Sequence, residues 1–158
     1  DPVIFFEHKF LYRSNSEEVP DDYYELPIGR GRRIREGDEL SIITYGLGVS
    51  WAREWMKNNP GVSVDLIDLV SLAPLDQELI ISSVKNTGKV IILHEDTLTG
   101  GIGAEISAII SSDAFEYLDA PIMRCASLDT PVPFAPALEK GFMANNRFDT
   151  LVQKLLEY

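Results

Sequence analysis

Cysteine is nearly missing from this 158-residue chain. Cys125 stands alone, so no intramolecular disulfide can form, and a cytoplasmic or similarly reducing compartment fits. It follows Ile122 and Met123 in an apolar stretch and reads as a small buried residue. Histidine is almost as scarce, with only His8 and His94. Without a His-x-x-x-His pattern or a cysteine pair there is no zinc ligand set. Basic residues are few: 14 Lys and Arg against 25 Asp and Glu, a net charge of −11. Nucleic-acid binding needs clustered cations to neutralise phosphate and is excluded on that ground. The one basic stretch, Arg30, Arg32, Arg33 and Arg35, lies between turn signals and reads as a solvated linker face. No run stays apolar for about 18 residues, so no membrane-spanning helix is expected. Gly-x-Ser-x-Gly and Gly-Lys-Ser/Thr motifs are absent too. There is no initiating Met and no signal peptide, so residue 1 reads as a cut through a longer protein.

What is present is an ordinary globular composition, 45% hydrophobic and 25% charged. Residues 3–6 are β-branched and aromatic, a strand that cannot bury itself and must belong to a sheet upstream or be held by the rest of the chain. Residues 14–38 are polar and broken by Pro20, Pro27, Gly29, Gly31 and Gly37, as in an extended connector. From residue 39 the pattern is regular. Strands are predicted at 40–45, 62–69, 89–93 and 121–125. Helices are predicted at 49–58, after Pro74 with Asp76 as N-cap and Gly88 as stop, from the glycines at 100–103 onward, and near the C-terminus. Asn146 is the candidate cap of that last helix, and Phe148, Leu151, Val152, Leu155 and Leu156 are its apolar stripe. The alternation predicts a three-layer α/β fold: a doubly wound, mostly parallel sheet, helices on both faces, right-handed crossovers.

In such sheets ligands bind beyond the carboxyl ends of the strands. Gly46-Leu47-Gly48 begins like a dinucleotide fingerprint, and Asp68 imitates its ribose-binding acid. Trp51 occupies the third glycine position and would block close helix packing. These glycines therefore read as tight-turn residues, with a stand-alone nucleotide-binding module as the alternative. The second loop, His94 to Glu105, joins titratable groups to a glycine-rich helix N-terminus. Free N–H groups there favour an anion, either a ligand phosphate or Glu95 or Asp96 of the loop itself. His94 beside carboxylates could titrate near neutrality and is the one catalytic candidate. A polar subunit contact or an internally hydrogen-bonded loop is the favoured reading.

Several segments together resemble one family. They are Asp1 to Lys9, Leu11-Tyr12-Arg13, Glu18-Val19-Pro20, Val64 to Leu69 with Pro74-Leu75-Asp76, and His94-Glu95 with Thr99 to Ile106. Leu118 to Ile122 with Arg124 and Asp129 to Pro136 complete the set. In this order and spacing they resemble the beta subunit of the thiamine-diphosphate-dependent 2-oxo acid dehydrogenases of pyruvate or branched-chain complexes. His94-Glu95 and Leu156-Glu157-Tyr158 lean toward the branched-chain group. His8 departs from the family, which commonly has Pro there. A transketolase or deoxyxylulose-phosphate synthase C-terminal domain would share the fold, but Asp129–Pro136 favours the dehydrogenases.

The resemblance implies three parts: residues 1–13 close a pyrimidine-binding domain, 14–38 are an interdomain linker, and 39–158 form a transketolase-type C-terminal domain. It implies an oxidative decarboxylation of a 2-oxo acid with acyl transfer to lipoyl groups. Thiamine diphosphate and magnesium serve the parent enzyme and none is expected on this chain, which would be inactive alone. The activating glutamate lies upstream of residue 1, and the diphosphate motif lies on the alpha part. Implied partners are an alpha subunit or fused alpha part, a second beta subunit, and the small basic subunit-binding domain of the acyltransferase. Asp113, Glu116, Asp119 and the Tyr158 carboxylate are candidate acidic contacts for that domain. His94, Glu95, Gly100, Gly101 and Gly103 are candidates for an interface loop. The implied location is the cytoplasm, or the mitochondrial matrix in a eukaryote.

Overall fold

In a computed structural model, which describes residues 2–158, the elements run α1 (Leu11–Ser14), β1 (Arg32–Arg35), β2 (Leu40–Thr44), α2 (Leu47–Asn58), β3 (Val64–Asp68), α3 (Gln77–Thr87), β4 (Val90–Thr97), α4 (Gly103–Asp113), β5 (Met123–Ser127), α5 (Pro136–Phe142) and α6 (Asn145–Leu156). The strands form one sheet in the order β1-β3-β2-β4-β5. β3, β2, β4 and β5 pair in parallel and β1 is antiparallel to β3. The predicted three-layer fold is therefore the observed one. The chain leaves β2 to one side for β3, then crosses to the other side for β4. The carboxyl ends of β2 and β4 thus flank the topological switch point.

Alternation along the strands sorts the core into two layers. Ile42, Leu66 and Leu93 meet Trp51 and Trp55 of α2 and Phe148, Val152 and Leu155 of α6. Ile43, Ile67 and Ile92 meet Ile80 and Val84 of α3 and Ile106 and Ile110 of α4 on the opposite face. Each such large side chain contributes about 1.5–3 kcal/mol on full burial. The α6 stripe behaves as its spacing predicts, with Leu151 and Leu156 at its partly buried margin. Asp76 caps α3, accepting from the Leu79 amide at 3.2 Å, and Gly88 ends the helix with φ 67°.

Several expectations need correction. The basic stretch is a sheet edge, not only a solvated linker face. β1 is held by Arg32 Nη2 to Asp68 Oδ2 at 3.0 Å and Arg33 Nε to Asp65 Oδ1 at 2.9 Å. Asp65 is fully buried, and the Arg33 contact is an ion pair not aligned as a hydrogen bond. Arg30 lies 3.7 Å from Asp76. Within this chain residues 3–6 are not held by the rest of the fold: Val3, Ile4, Phe5 and Phe6 are exposed, with no partner strand among the described residues. Asp1, which belongs to the first expected segment, lies outside the described residues. Asn146 does not cap α6: Ala144 holds that position, and the Asn146 amide donates to the Lys140 carbonyl inside the first turn. β5 begins two residues past Pro121, which has no N–H to give a ladder.

Candidate functional site

β4 outruns its neighbour at the switch point. Thr44, the last residue of β2, pairs with Leu93, so His94 is the first residue beyond. β4 still continues to Thr97, because past an irregular step Thr97 regains pairing with Ser127 of β5. His94, Glu95 and Asp96 were expected in a loop and stand instead on this strand. The loop proper is Leu98 to Ile102.

The His94 ring is fully buried, and neither of its nitrogens has a hydrogen-bond partner. Tyr45 stacks beside it, with centroids 6.4 Å apart and planes at 16°. Burial holds the imidazole below its ordinary value of 6.5, outweighing the opposite pull of Asp96. The same burial, followed by Asp96 and Glu95, pushes the Tyr45 hydroxyl up to about 12. At neutral pH both rings are therefore uncharged. Where it stands, the His94 ring is closed off from solvent.

The glycines explain how so large a ring fits. A Cβ on Gly103 would lie 2.4 Å from His94 Nε2, and one on Gly101 would lie 2.7 Å from Cε1 and 2.4 Å from the Thr97 carbonyl. Gly101 and Gly103 thus let the entry to α4 close over the imidazole. Gly100 has φ 80°, a turn that L side chains resist. Neither Glu95 nor Asp96 caps α4, whose N-cap Ile102 receives no side-chain bond. Glu95 Oε2 instead stands 3.0 Å from His8 Nε2, and Asp96 accepts from the Thr97 amide at 2.7 Å. The loop is tied down by Asp129, which accepts from the Thr99 amide at 2.8 Å and hydroxyl at 2.7 Å. Those bonds hold the Asp129 carboxyl below its usual range. Asp129, not among the loop's expected partners, is thus the residue that ties it down within the chain.

The other glycine pair is structural. A Cβ on Gly48 would lie 2.0 Å from Thr44 Oγ1 and 3.3 Å from the Leu93 carbonyl, so Gly48 seats α2 on the strand ends. The Asp68 carboxylate is engaged by Arg32 and by the Val70 amide at 3.2 Å, leaving no free ribose acceptor. Among the described residues no group of His, Cys, Asp and Glu could hold a metal ion. Cys125 is buried, its thiol pushed up to about 12 by burial, which leaves it inert.

The acidic candidates gather elsewhere. Glu116, Asp119 and Tyr158 line one surface hollow of about 660 Å³, together with Ser107, Ser111 and Phe115. Asp113 is not among its lining residues. Asp119 is fixed against the end of α3, its amide donating to the Gly88 carbonyl at 2.8 Å. The carbonyl of Leu156 accepts from Lys89 Nζ at 3.4 Å, which steadies the approach to Tyr158. Ser107 and Ser111 were not foreseen. Their separation of four puts them on one stripe of α4, but such pairs are too common to single out.

A family profile described as "Transketolase, C-terminal domain" matches residues 29–147. The chain is 45% identical over 162 residues to "2-oxoisovalerate dehydrogenase subunit beta" of Bacillus subtilis (strain 168), covering 100% of this chain and 50% of that protein. "Pyruvate dehydrogenase E1 component subunit beta" of the same organism is 41% identical over 164 residues, covering 100% and 49%. The mitochondrial 2-oxoisovalerate dehydrogenase beta subunit of Dictyostelium discoideum is 46% identical over 140 residues, covering 84% and 37%. Among solved structures, "Split gene transketolase, inactive beta4 tetramer" superposes with a TM-score of 0.72 at 27% identity, covering 90% of this chain and 46% of that one. The chain thus spans about half the length of the relatives it matches over its full extent.

Proposed function

Because the chain belongs to the transketolase C-terminal domain family, we propose that it is the C-terminal half of a beta subunit in the decarboxylating component of a 2-oxo acid dehydrogenase, serving assembly rather than chemistry. The parent would oxidatively decarboxylate a 2-oxo acid and pass the acyl group to a lipoyl arm. Identities of 45% and 41% to dehydrogenase beta subunits, against 27% to a transketolase, support this group over transketolase itself. The location would be the bacterial cytoplasm, or the mitochondrion as the name of the Dictyostelium relative states.

The residues here do not fit thiamine diphosphate and magnesium. The switch-point crevice is filled by His94 and closed by the α4 glycines, and no carboxylate group suits a metal among the described residues. We assign the chain no step of that chemistry; the cofactor would sit on the rest of the parent. The exposed run Val3 to Phe6 supports reading residues 1–13 as the end of another domain, since such side chains favour burial.

One observation carries the assembly role: the neighbouring Glu116 and Asp119 meet Tyr158, far along the chain, at one hollow. We assign this hollow to the basic subunit-binding domain of the acyltransferase, with a second beta subunit and an alpha subunit as further partners. The test is calorimetric titration with that isolated domain, using the full parent component at two ionic strengths. Affinity should fall as salt rises and fall again in Asp119→Lys. Salt-insensitive binding, or full-strength binding by Asp119→Lys, would place the docking surface elsewhere.

A further inference from the structure

Some of the apolar side chains that the domain leaves in solvent share one place. The chain that follows β5 reads Leu-Asp-Thr-Pro-Val-Pro-Phe-Ala-Pro from Leu128 to Pro136, with Asp129 its one charged residue in a protein of net charge −11. Pro131, Pro133 and Pro136 each favour extended backbone at the residue before them, and Ala135 shows it with φ −75° and ψ 127°. The segment is also pinned. The Leu128 amide donates to the Phe142 carbonyl at 3.2 Å, and the Asp129 carboxylate accepts from Thr99. On this fixed backbone Leu128 and Val132 are exposed and Phe134 wholly so. Leu98, whose amide donates to the Ser127 carbonyl at 3.1 Å, adds a fourth exposed apolar side chain beside them. An aromatic ring held in water on a fixed segment marks a surface built to be covered, since little freedom is lost when something covers it.

The start of the chain leaves from the same end of the sheet. His8 Nε2 stands 3.0 Å from Glu95 Oε2 on β4, and Leu98 follows Glu95 by three residues. Five residues of extended chain span at most about 18 Å, which keeps Val3 within that reach of His8. Val3, Ile4, Phe5 and Phe6 are exposed. Two uncovered apolar runs, far apart in sequence, thus share the carboxyl ends of β4 and β5. We propose that the half of the parent subunit preceding residue 1 packs on this end of the domain and covers Leu98, Leu128, Val132 and Phe134. The proposal rests on reading this chain as the C-terminal half of a beta subunit.

Continuity selects this occupant. A domain joined through residues 2–10 to the place it covers is held there at an effective concentration on the order of millimolar, and a separate subunit would have to displace it. Charge sets the surface apart from the acidic hollow. Glu116, Asp119 and Tyr158 suit a basic partner, whereas Leu98, Leu128, Val132 and Phe134 offer none, and the Asp129 carboxylate is spent on Thr99. An apolar surface without free charge fits a lasting contact inside one subunit, because permanent interfaces are the more hydrophobic ones.

The test is hydroxyl-radical footprinting of phenylalanine rings in three samples: this chain, the full-length beta subunit and the assembled parent component. In the full-length subunit the oxidation rate of Phe134 should fall about 15-fold from its rate in this chain, as its exposure drops from 102% to a level like the 7% of Phe142. Phe115, at the acidic hollow, should keep its rate in both, which makes the loss local to this end of the sheet. The buried Phe148 reports that the domain is folded in each sample. Sedimentation of the full-length subunit over a range of concentrations accompanies the footprinting, and the protection of Phe134 should not depend on concentration. Equal reactivity of Phe134 in the chain and in the full-length subunit would overturn the proposal. So would protection that follows self-association, which assigns the surface to a second beta copy, or protection that arises only in the assembled component, which assigns it to the alpha subunit. A natural protein with no domain before residue 1 would overturn the half-subunit reading itself, and this proposal with it.

Discussion

A single methyl group on Gly103 tests how the switch point is built. Alanine is the better helix former, so propensity alone gives Gly103→Ala up to about 1 kcal/mol of added stability in the first turn of α4. The packing reverses the sign. The new Cβ would lie 2.4 Å from Nε2 and 2.8 Å from Cδ2 of His94, and 3.4 Å from Ile92 Cγ2. His94 is fully buried and stacked on Tyr45, so it has no solvent to swing into. Over-packing costs up to about 3 kcal/mol, and a 2.4 Å approach to a ring without room to move puts it at about 2–3 kcal/mol, leaving a net loss of about 1–2 kcal/mol after the propensity gain. For a domain of this length that lowers Tm by roughly 3–8 °C. The assay is urea and thermal unfolding of Gly103→Ala, His94→Ala and the double variant. His94→Ala alone costs about 2–4 kcal/mol through the void it leaves. In the double variant the methyl has room, so the losses should fall short of their sum by about 1–2 kcal/mol. A neutral or stabilised Gly103→Ala, or strict additivity, would refute the close approach of glycine and imidazole.

Three further outcomes follow from the same structure. Arg33→Met should destabilise by about 3 kcal/mol, because it leaves the fully buried Asp65 without its cation, and adding Asp65→Leu should recover most of the loss; urea unfolding checks both. His94 should make folding pH-dependent in a stated direction. Its proton affinity is lower folded than unfolded, so its stabilisation is present above about pH 6.5 and is lost as pH falls below that value. The stability difference between pH 7.5 and 5.5 should shrink in His94→Phe, and an unshrunk difference counts against the burial argument. The purified chain should turn over no 2-oxo acid with thiamine diphosphate, magnesium and an artificial electron acceptor; reproducible turnover would overthrow the assembly-only role.

The parts legible in the sequence are those specified locally. β2, β3 and β4 are dense in Ile, Leu and Val, α3 carries its own cap and stop, and the α6 stripe repeats at helical spacing. β1 was illegible because Arg-Arg-Ile-Arg has no apolar alternation. Its place is set by Asp65 and Asp68, more than 30 residues later. A signal did exist: two carboxylates inside an otherwise apolar strand require cations, and the arginine stretch was the nearest supply. The glycines at 100–103 announced a close approach but not its object. That object is His94, which reaches them because β5 prolongs β4 past the end of β2. The hollow at Glu116, Asp119 and Tyr158 rests on convergence of separate elements, which no local pattern encodes.

The distribution of charge connects the fold to the proposed partner. The arginines are largely spent inside the molecule. Arg30, Arg32, Arg33 and Arg53 face Asp76, Asp68, Asp65 and Glu17. Arg124 donates to the Leu98 carbonyl, and Arg147 to the carbonyls of Ala126, Gly141 and Phe142. Asp113, Glu116 and Asp119 take part in no ion pair among the described residues. The net charge of −11 is thus expressed on outward carboxylates rather than cancelled beside them. At physiological salt each such charge acts over about 8 Å, far enough to orient an approaching basic surface before contact. Carboxylates at the rim of a hollow remain partly solvated, so they govern the rate and register of association more than its final strength. Raising the salt should therefore slow binding more than it speeds release, and Asp119→Lys should act mainly on the association rate.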